Sequence, residues 1–567
     1  MAVRIKQFVL LASLLMTAFA SQAQVSWMRC SGGLRDDACI AVCTDPAGNI
    51  FSTGYYYDAT VTFDTIALPN FGGDDIYFNK YDPNGRLLWS KHFGTIDGDR
   101  PTGIACDTSG NVYLAGYAYG SMAFDTITMD MEGLFLSKMD NNGKLIWINT
   151  YPADFSYNAK HTISTDMSGN VFMVGNFYTS VTFDQPLQAI NSQSWSSDLF
   201  VAKFSSVGIP LWSHALGGAS SEYAYTVAAD PFGNAFVTGE YYGPWMKIGA
   251  DTLFNSYPLS PSNYEYKNLF VVRFTADGAI SWARQTDVTN DEGGSGVSSN
   301  SKGACMVAGS FAGDTLFFAN DTLVNLNGFN YNKSLFLLTF DSLGNELWAR
   351  SAQGNDYGSK GQALITNASD EILLLAEHDS HFLSIGDTVL SNPDAWSELV
   401  LARYDENGNF MEACQSDGNK STNGNGLCLG IDQKAILACT TYSTNLTFGA
   451  LSINRGIDNA ASLLVKFGQP IFSSVASERT NPYKVLLSPN PADAKCTISS
   501  SNHSKDLGVT NIRIYDMAGS CVKRIVADKR TEQGVEIETQ TLADGLYIVE
   551  ISAPGYMQRS KLIVHHP

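Results

Sequence analysis

Apolar residues along this chain fall in short runs broken by turn residues, and no stretch spaces them three and four apart as an amphipathic helix would. One run recurs seven times, at 76–81, 134–139, 199–204, 269–274, 335–340, 399–404 and 463–467. Six of the seven lead into a four-residue turn: Asp82-Pro83-Asn84-Gly85, Asp140-Asn141-Asn142-Gly143, Ser205-Ser206-Val207-Gly208, Thr275-Ala276-Asp277-Gly278, Asp341-Ser342-Leu343-Gly344 and Asp405-Glu406-Asn407-Gly408. A short side-chain acceptor at the first place and Gly at the fourth suit a type I turn. Four residues past these glycines stand Trp89, Trp147, Trp212, Trp282, Trp348 and, at the last place, Glu412. Trp27 opens the series, and its successive members lie 62, 58, 65, 70, 66 and 64 residues apart.

A second turn precedes each of these runs, clearest in Asp45-Pro46-Ala47-Gly48-Asn49, Asp107-Thr108-Ser109-Gly110-Asn111, Asp166-Met167-Ser168-Gly169-Asn170 and Asp230-Pro231-Phe232-Gly233-Asn234. It decays later, at Ser301-Lys302-Gly303, Ser369-Asp370 and Gln433-Lys434. Each repeat therefore reads strand, turn, strand, longer excursion, strand, turn, Trp strand. Four short strands per repeat and a long period predict an all-β chain with a seven-bladed β-propeller at 24–472. The first Trp strand, at 25–30, lacks three strands before it, and the last set ends at Phe467 without a Trp strand. Joining the two completes the seventh blade and removes two sheet edges.

These segments resemble the seven-bladed propeller repeats of many bacterial secreted proteins, with D-x-x-G-N-x-[YF]-x-x-G followed by [LI]-[FY]-[VL]-x-K-[YF]-D-x-x-G-x-x-x-W. The resemblance specifies a fold and leaves function open. After a polar linker at 473–483, residues 484–567 change character. They hold Leu487-Ser488-Pro489-Asn490-Pro491, then Ile512-Arg513-Ile514-Tyr515-Asp516-Met517-Ala518-Gly519, then Gly545-Leu546-Tyr547-Ile548-Val549, and finally Lys561-Leu562-Ile563-Val564. Alternating apolar residues with Pro, Asn and Gly turns predict a small Ig-like β-sandwich. In order and spacing, Pro489, Asn490, Pro491, Gly519, Gly545, Tyr547 and Lys561 are similar to the type A C-terminal sorting domain of the type IX secretion system. That resemblance implies the secretion machinery as a partner, passage through the periplasm and the outer membrane, and delivery to the medium or the cell surface.

Charge narrows the choice of partner. The chain has 567 residues, with 36 Lys and Arg against 56 Asp and Glu. The acids concentrate in the repeats: 24–470 holds 23 basic and 46 acidic residues, while 484–567 holds 10 and 9. A net of about −23 over the repeats argues against a nucleic-acid footprint there. Arg4 and Lys6, an apolar run at 8–19 and Ser21-Gln22-Ala23 read as a secretory signal peptide at 1–23, and no later run is long enough for a membrane span. Ten cysteines accompany an expected oxidising destination without any C-x-x-C, and spacing leaves their pairing open.

Several recurring residues could carry chemistry. The Trp series reads as inter-blade packing rather than a ligand ladder, because one large aromatic per blade at a fixed strand position is what packing needs. Sialidase-type Asp boxes and quinoprotein repeats both have different spacings. A base recurs in the third strand, at Lys80, Lys138, Lys203, Arg273, Arg403 and Lys466, with Thr339 breaking the series. It could form a cationic ring for an anion or repeated ion pairs with turn aspartates; the excess of acids favours the pairs. Asp-Thr-aliphatic triplets, such as Asp64-Thr65-Ile66 and Asp251-Thr252-Leu253, resemble a bacterial O-glycosylation signal, and strand ends produce the same triplets. His378-Asp379-Ser380-His381 lacks a third metal ligand, and no nucleophile-elbow, zinc-protease or nucleotide-binding motif occurs. No catalytic residue, metal or cofactor is assigned. The chain is expected to be a secreted or surface binding or scaffold protein whose ligand is a glycan, a peptide or another surface protein. The alternative is a propeller enzyme acting on polysaccharide.

Overall fold

The computed structural model describes residues 25–468 apart from 125–126, 153–161, 184–185, 189–195, 257–265, 287–289, 326–331, 355 and 457. Beyond these it describes 485–488, 492–500, 511–515, 521–526, 535–553 and 556–566. The expected signal segment at 1–23 and the linker at 473–483 lie outside the described residues, as do Pro489, Asn490, Pro491 and Gly519. The chain divides into two compact units at Ser474/Val475.

The first unit is a seven-bladed β-propeller, and every blade has an antiparallel core of four strands. Blades 1 to 6 occupy 38–93, 100–152, 162–218, 222–285, 292–354 and 359–418, each in plain sequence order from the innermost strand outward. Blade 7 combines Thr422–Leu429, Ala435–Thr441 and Ala461–Phe467 with Val25–Ser31 as its outer strand. The closing strand pairs from Val25 opposite Phe467 to Ser31 opposite Ser462, with a bulge between Val25 and Trp27. The innermost strands touch one another in an unbroken cycle. Apolar residues facing both neighbours make the second and third strands buried along nearly their whole length. The core is therefore a chain of clusters, each spanning adjacent blades.

The excursion between second and third strands is itself a β-hairpin. Examples are Thr60–Phe63 with Ile66–Pro69 and Trp245–Ile248 with Asp251–Phe254. In blade 4 this hairpin pairs with the outer strand of blade 3 through Gly217 opposite Lys247, and blades 6 and 7 repeat the arrangement. The alternation Thr60-Val61-Thr62-Phe63 explains it: Val61 and Phe63 are buried and the threonines are exposed. Asp251-Thr252-Leu253, Asp321-Thr322-Leu323 and Asp387-Thr388-Val389 sit where these hairpins turn.

The second unit has two antiparallel sheets. One joins Val485–Ser488, Lys495–Ser500 and Val535–Glu538; the other joins Cys521–Val526, Asn511–Tyr515, Gly545–Ala553 and Tyr556–Val564. Ile512, Ile514, Val549 and Leu562 of the larger sheet share one apolar cluster with Cys496 and Ile537 of the smaller.

Candidate functional site

At the end of the ring that carries the Asp turns, each Trp lies against the turn glycine of the next blade. Gly85 has φ 79°, and a Cβ there would stand 2.6 Å from the Trp27 indole. The same approach joins Gly143 to Trp89, Gly208 to Trp147, Gly278 to Trp212, Gly344 to Trp282 and Gly408 to Trp348. The indole Nε1 of Trp147, Trp212 and Trp282 donates to the carbonyl of the second turn residue at 3.2–3.3 Å. The residue two places past each Trp donates to the glycine carbonyl, as Arg29 does to Gly85 at 2.8 Å and Arg350 to Gly408 at 2.7 Å. Lys91, Asn149, His214 and Arg284 fill that role in the other blades. Blade 6 has no such turn to clasp, because blade 7 changes from Phe467 to Val25 at that place. Its Trp position holds Glu412, which pairs instead with Arg403 of the neighbouring strand at 2.7 Å.

The recurrent bases sit directly across from these residues, with Lys80 opposite Trp89, Lys138 opposite Trp147 and Lys203 opposite Trp212. Lys138 and Lys203 pair with Asp107 and Asp166 of their own blades at 3.0 and 3.2 Å, and Arg273 pairs with Asp230 at 3.4 Å. Their other donors reach the next turn: Lys138 to the Ser206 carbonyl, Lys203 to Ala276 and Lys466 to Pro83, at 3.1–3.2 Å. Lys80 bonds Asn141, whose amide in turn donates to Asp45 at 2.6 Å. Where Thr339 breaks the series, the turn begins with Asn300 instead of Asp, so cation and anion disappear together. Lys80, Lys138, Lys203 and Lys466 are buried in the contacts between blades, whereas Arg273 and Arg403 are half-buried. Removing one partner of a buried pair costs about 3–5 kcal/mol. Lys203→Met should therefore lower the chemical-denaturation free energy by about that amount, and Lys203→Met with Asp166→Asn should recover part of it.

The opposite end, where the innermost strands begin, carries a different set of side chains. Tyr225, the bulged residue of its strand, donates to Glu240 at 2.7 Å, and Lys267 pairs with the same Glu240 oxygen at 3.0 Å beneath the Tyr242 ring. The Tyr223 and Tyr242 rings meet edge-on, 6.1 Å apart. Lys333 approaches Asp291 at 4.0 Å, Lys360 pairs with Glu377 at 3.1 Å, and Arg100 pairs with Asp74 while lying 4.2 Å over the Tyr55 ring. Burial opposes charge on Lys267, yet Glu240 and the Tyr242 hydroxyl hold it above the ordinary lysine range. Lys333 is pushed below that range, first by burial and then by the Lys267 charge. This rim of tyrosines and paired charges can stack on a ring and exchange hydrogen bonds. Glu240 and Glu377 are both engaged by lysines, and Glu377 also accepts from the Gly424 amide at 2.6 Å. His378 is buried against Gln415 at 3.3 Å with its pKa lowered to about 4 by burial, whereas His381 pairs with Asp356. Among the described residues no group of three His, Cys, Asp or Glu is placed to hold a metal.

Buried carboxyls cap the loops at this end, both between blades and, for Asp75, within one. Asp37 accepts from the Gly33 amide at 2.6 Å, Asp99 from Thr95 at 2.5 Å, Asp75 from Phe71 at 2.8 Å and Glu398 from Gly418 at 2.8 Å. Burial raises Asp37 and Asp99 to about 7, Asp75 to about 6 and Glu398 to about 8. An acid whose pKa is raised by folding favours the folded state at low pH, and loses that advantage as pH climbs from its unfolded value through its folded one. Asp107 is displaced the other way: burial opposes its charge, but the Asn111 amides and Lys138 hold it below the ordinary range, so its contribution fades only below about pH 4. The thermal midpoint is expected to fall between pH 5 and pH 8, and Asp99→Asn should flatten that slope.

In the second unit Tyr547 is buried and donates to the Ala543 carbonyl at 2.9 Å, Gly545 begins its strand, and Lys561 stands opposite Ile548. Residues 487–565 match the Secretion system C-terminal sorting domain family, and residues 88–121 match the Beta-propeller repeat family. The chain is a seven-bladed β-propeller carrying a C-terminal sorting domain. The type IX sorting tail marks it for export to the medium or the cell surface, and no helix of the described residues is long and apolar enough to cross a membrane. An uncharacterized WD repeat-containing protein of Acanthamoeba polyphaga mimivirus is 21% identical over 229 residues, 35% of this chain; the match spans only 16% of that protein's length. Among solved structures, a PL25 ulvan lyase of a polysaccharide lyase family is 9% identical at a TM-score of 0.38, covering 72% of this chain and 93% of its own. A Synechocystis apocarotenoid oxygenase mutant is 10% identical at 0.35, covering 79% and 93%.

Proposed function

We propose that the exported propeller is a binding module that takes a glycan at the rim where its innermost strands begin, and that its sorting domain engages the type IX machinery and leads to attachment at the outer-membrane surface. The observation that carries the glycan is the grouping of Tyr223, Tyr225 and Tyr242 with Lys267 and Glu240. Tyrosine offers an apolar face with a polar tip, and an adjacent Lys–Glu pair supplies donor and acceptor together, which suits the mixed faces of a sugar ring. Peptide or surface-protein ligands would use the same rim through different partners. Binding is favoured over catalysis because Glu240 and Glu377 are each held by a lysine, which leaves neither poised as one of a pair of carboxyl groups flanking a glycosidic bond. The test is an array of polysaccharides probed with the full-length exported protein. Tyr223→Ala and Tyr242→Ala should each weaken a hit at least tenfold, while Trp396→Ala should leave it unchanged. Equal binding by all three variants would move the site away from this rim.

A further inference from the structure

The strongest unassigned feature lies at the other end of the innermost strands, one residue before each Asp turn. There, in blades 1, 3 and 6, a threonine ties one blade to the one before it. Thr44 Oγ1 donates to the Leu429 carbonyl at 2.7 Å, Thr165 to Cys106 at 2.8 Å and Thr366 to Ser299 at 2.5 Å. In blade 2 this position is Cys106, and its sulfur lies 2.7 Å from that of Cys43 in blade 1. Two thiols do not rest that close without bonding, and a disulfide needs only about 0.7 Å of further approach to reach about 2.05 Å.

We propose that Cys43 and Cys106 form an inter-blade disulfide in the exported protein, a covalent counterpart of the threonine hydrogen bond that blades 1, 3 and 6 make. Each thiol loses its proton, one S–S bond forms, and the two electrons reduce the disulfide of a thiol-exchange oxidant to two thiols. An oxidising destination is what the sorting domain implies. Burial raises the Cys43 thiol well above its ordinary range, which slows thiolate attack in the finished ring. Bond formation therefore belongs to folding, before the innermost strands close, and the finished bond is shielded from reductants. Cys428 of blade 7 stands two residues before its turn, as Cys43 does, and lies near both, so it is the competing partner.

Full-length protein recovered after export would be unfolded without reductant, alkylated and digested with trypsin. Peptide 36–80, holding Cys39 and Cys43, is expected to be linked to peptide 92–138, holding Cys106. The link should survive Cys39→Ser, vanish in Cys43→Ser and carry no alkyl group on either sulfur. Recovery of both peptides alkylated, or a link to the Cys428 peptide at 421–434, would overturn the pairing. As a second readout, reductant present during folding should lower the thermal midpoint of the wild type and leave the Cys43→Ser/Cys106→Ser protein unmoved; an equal shift in both would also count against it.

Discussion

Deleting 25–31 is expected to abolish the cooperative thermal transition of the propeller. The closing strand supplies three contributions at once. It hydrogen-bonds along Ser462 to Phe467, so its loss exposes a long apolar strand edge. It buries Val25, Trp27 and Met28 against two clusters. It also clasps blade 1, where the Trp27 indole covers Gly85 and Arg29 holds the Gly85 carbonyl. Without it blade 7 keeps three of its four strands and blade 1 loses its clasp, while the innermost strands of the two blades still touch, so the weakened seam should open first, unfolding should become gradual and the freed edge should aggregate. Trp27→Ala separates the packing contribution from strand pairing, and a loss of about 3–5 kcal/mol is expected from its truncation. A sharp, unshifted melting curve for the deletion would show that the ring does not depend on its first strand.

Truncation after residue 474 should have the largest effect on location. The second unit has its own two sheets and its own apolar cluster, built from Ile512, Ile514, Val549 and Leu562 with Cys496 and Ile537. Its removal is therefore expected to leave the propeller folded but held in the periplasm. Fractionation would read this directly: full-length protein outside the cell or at its surface, truncated protein only in the periplasmic fraction. Surface delivery of the truncated chain at the wild-type level would rule out the sorting role.

The ring was legible from sequence because its constraints are local and repeated. An Asp turn needs its acceptor and its glycine, and each glycine needs an aromatic that can lie flat against it, so both recur at fixed spacing. Glu412 became intelligible only in three dimensions, since its cause is the absence of a turn two strands and a chain break away. The outer hairpins carried their signal in the alternation around Val61, Phe63 and Leu68, but one short alternating pair per repeat does not announce that it will pair with the preceding blade. The rim was not legible at all. Arg100 and Lys360 hold one repeat position and Lys267 and Lys333 another, but each position is basic in only two of the seven repeats and Tyr225 is a bulge residue, so no series stands out and only closure of the ring brings them to one end. The Cys43 to Cys106 contact was hidden for a similar reason: the two lie 63 residues apart, one repeat, among ten cysteines whose spacings permit many pairings.

Binding without turnover is the central functional claim, and the chain length of a bound polysaccharide tests it most directly. The exported protein would be incubated with each polysaccharide it retains, and the polymer followed by size-exclusion chromatography and by assays for new reducing ends and unsaturated ends. Unchanged length with saturable binding is the expected result. Progressive shortening that disappears in Tyr225→Phe or Glu240→Gln would contradict it and make the rim an active site.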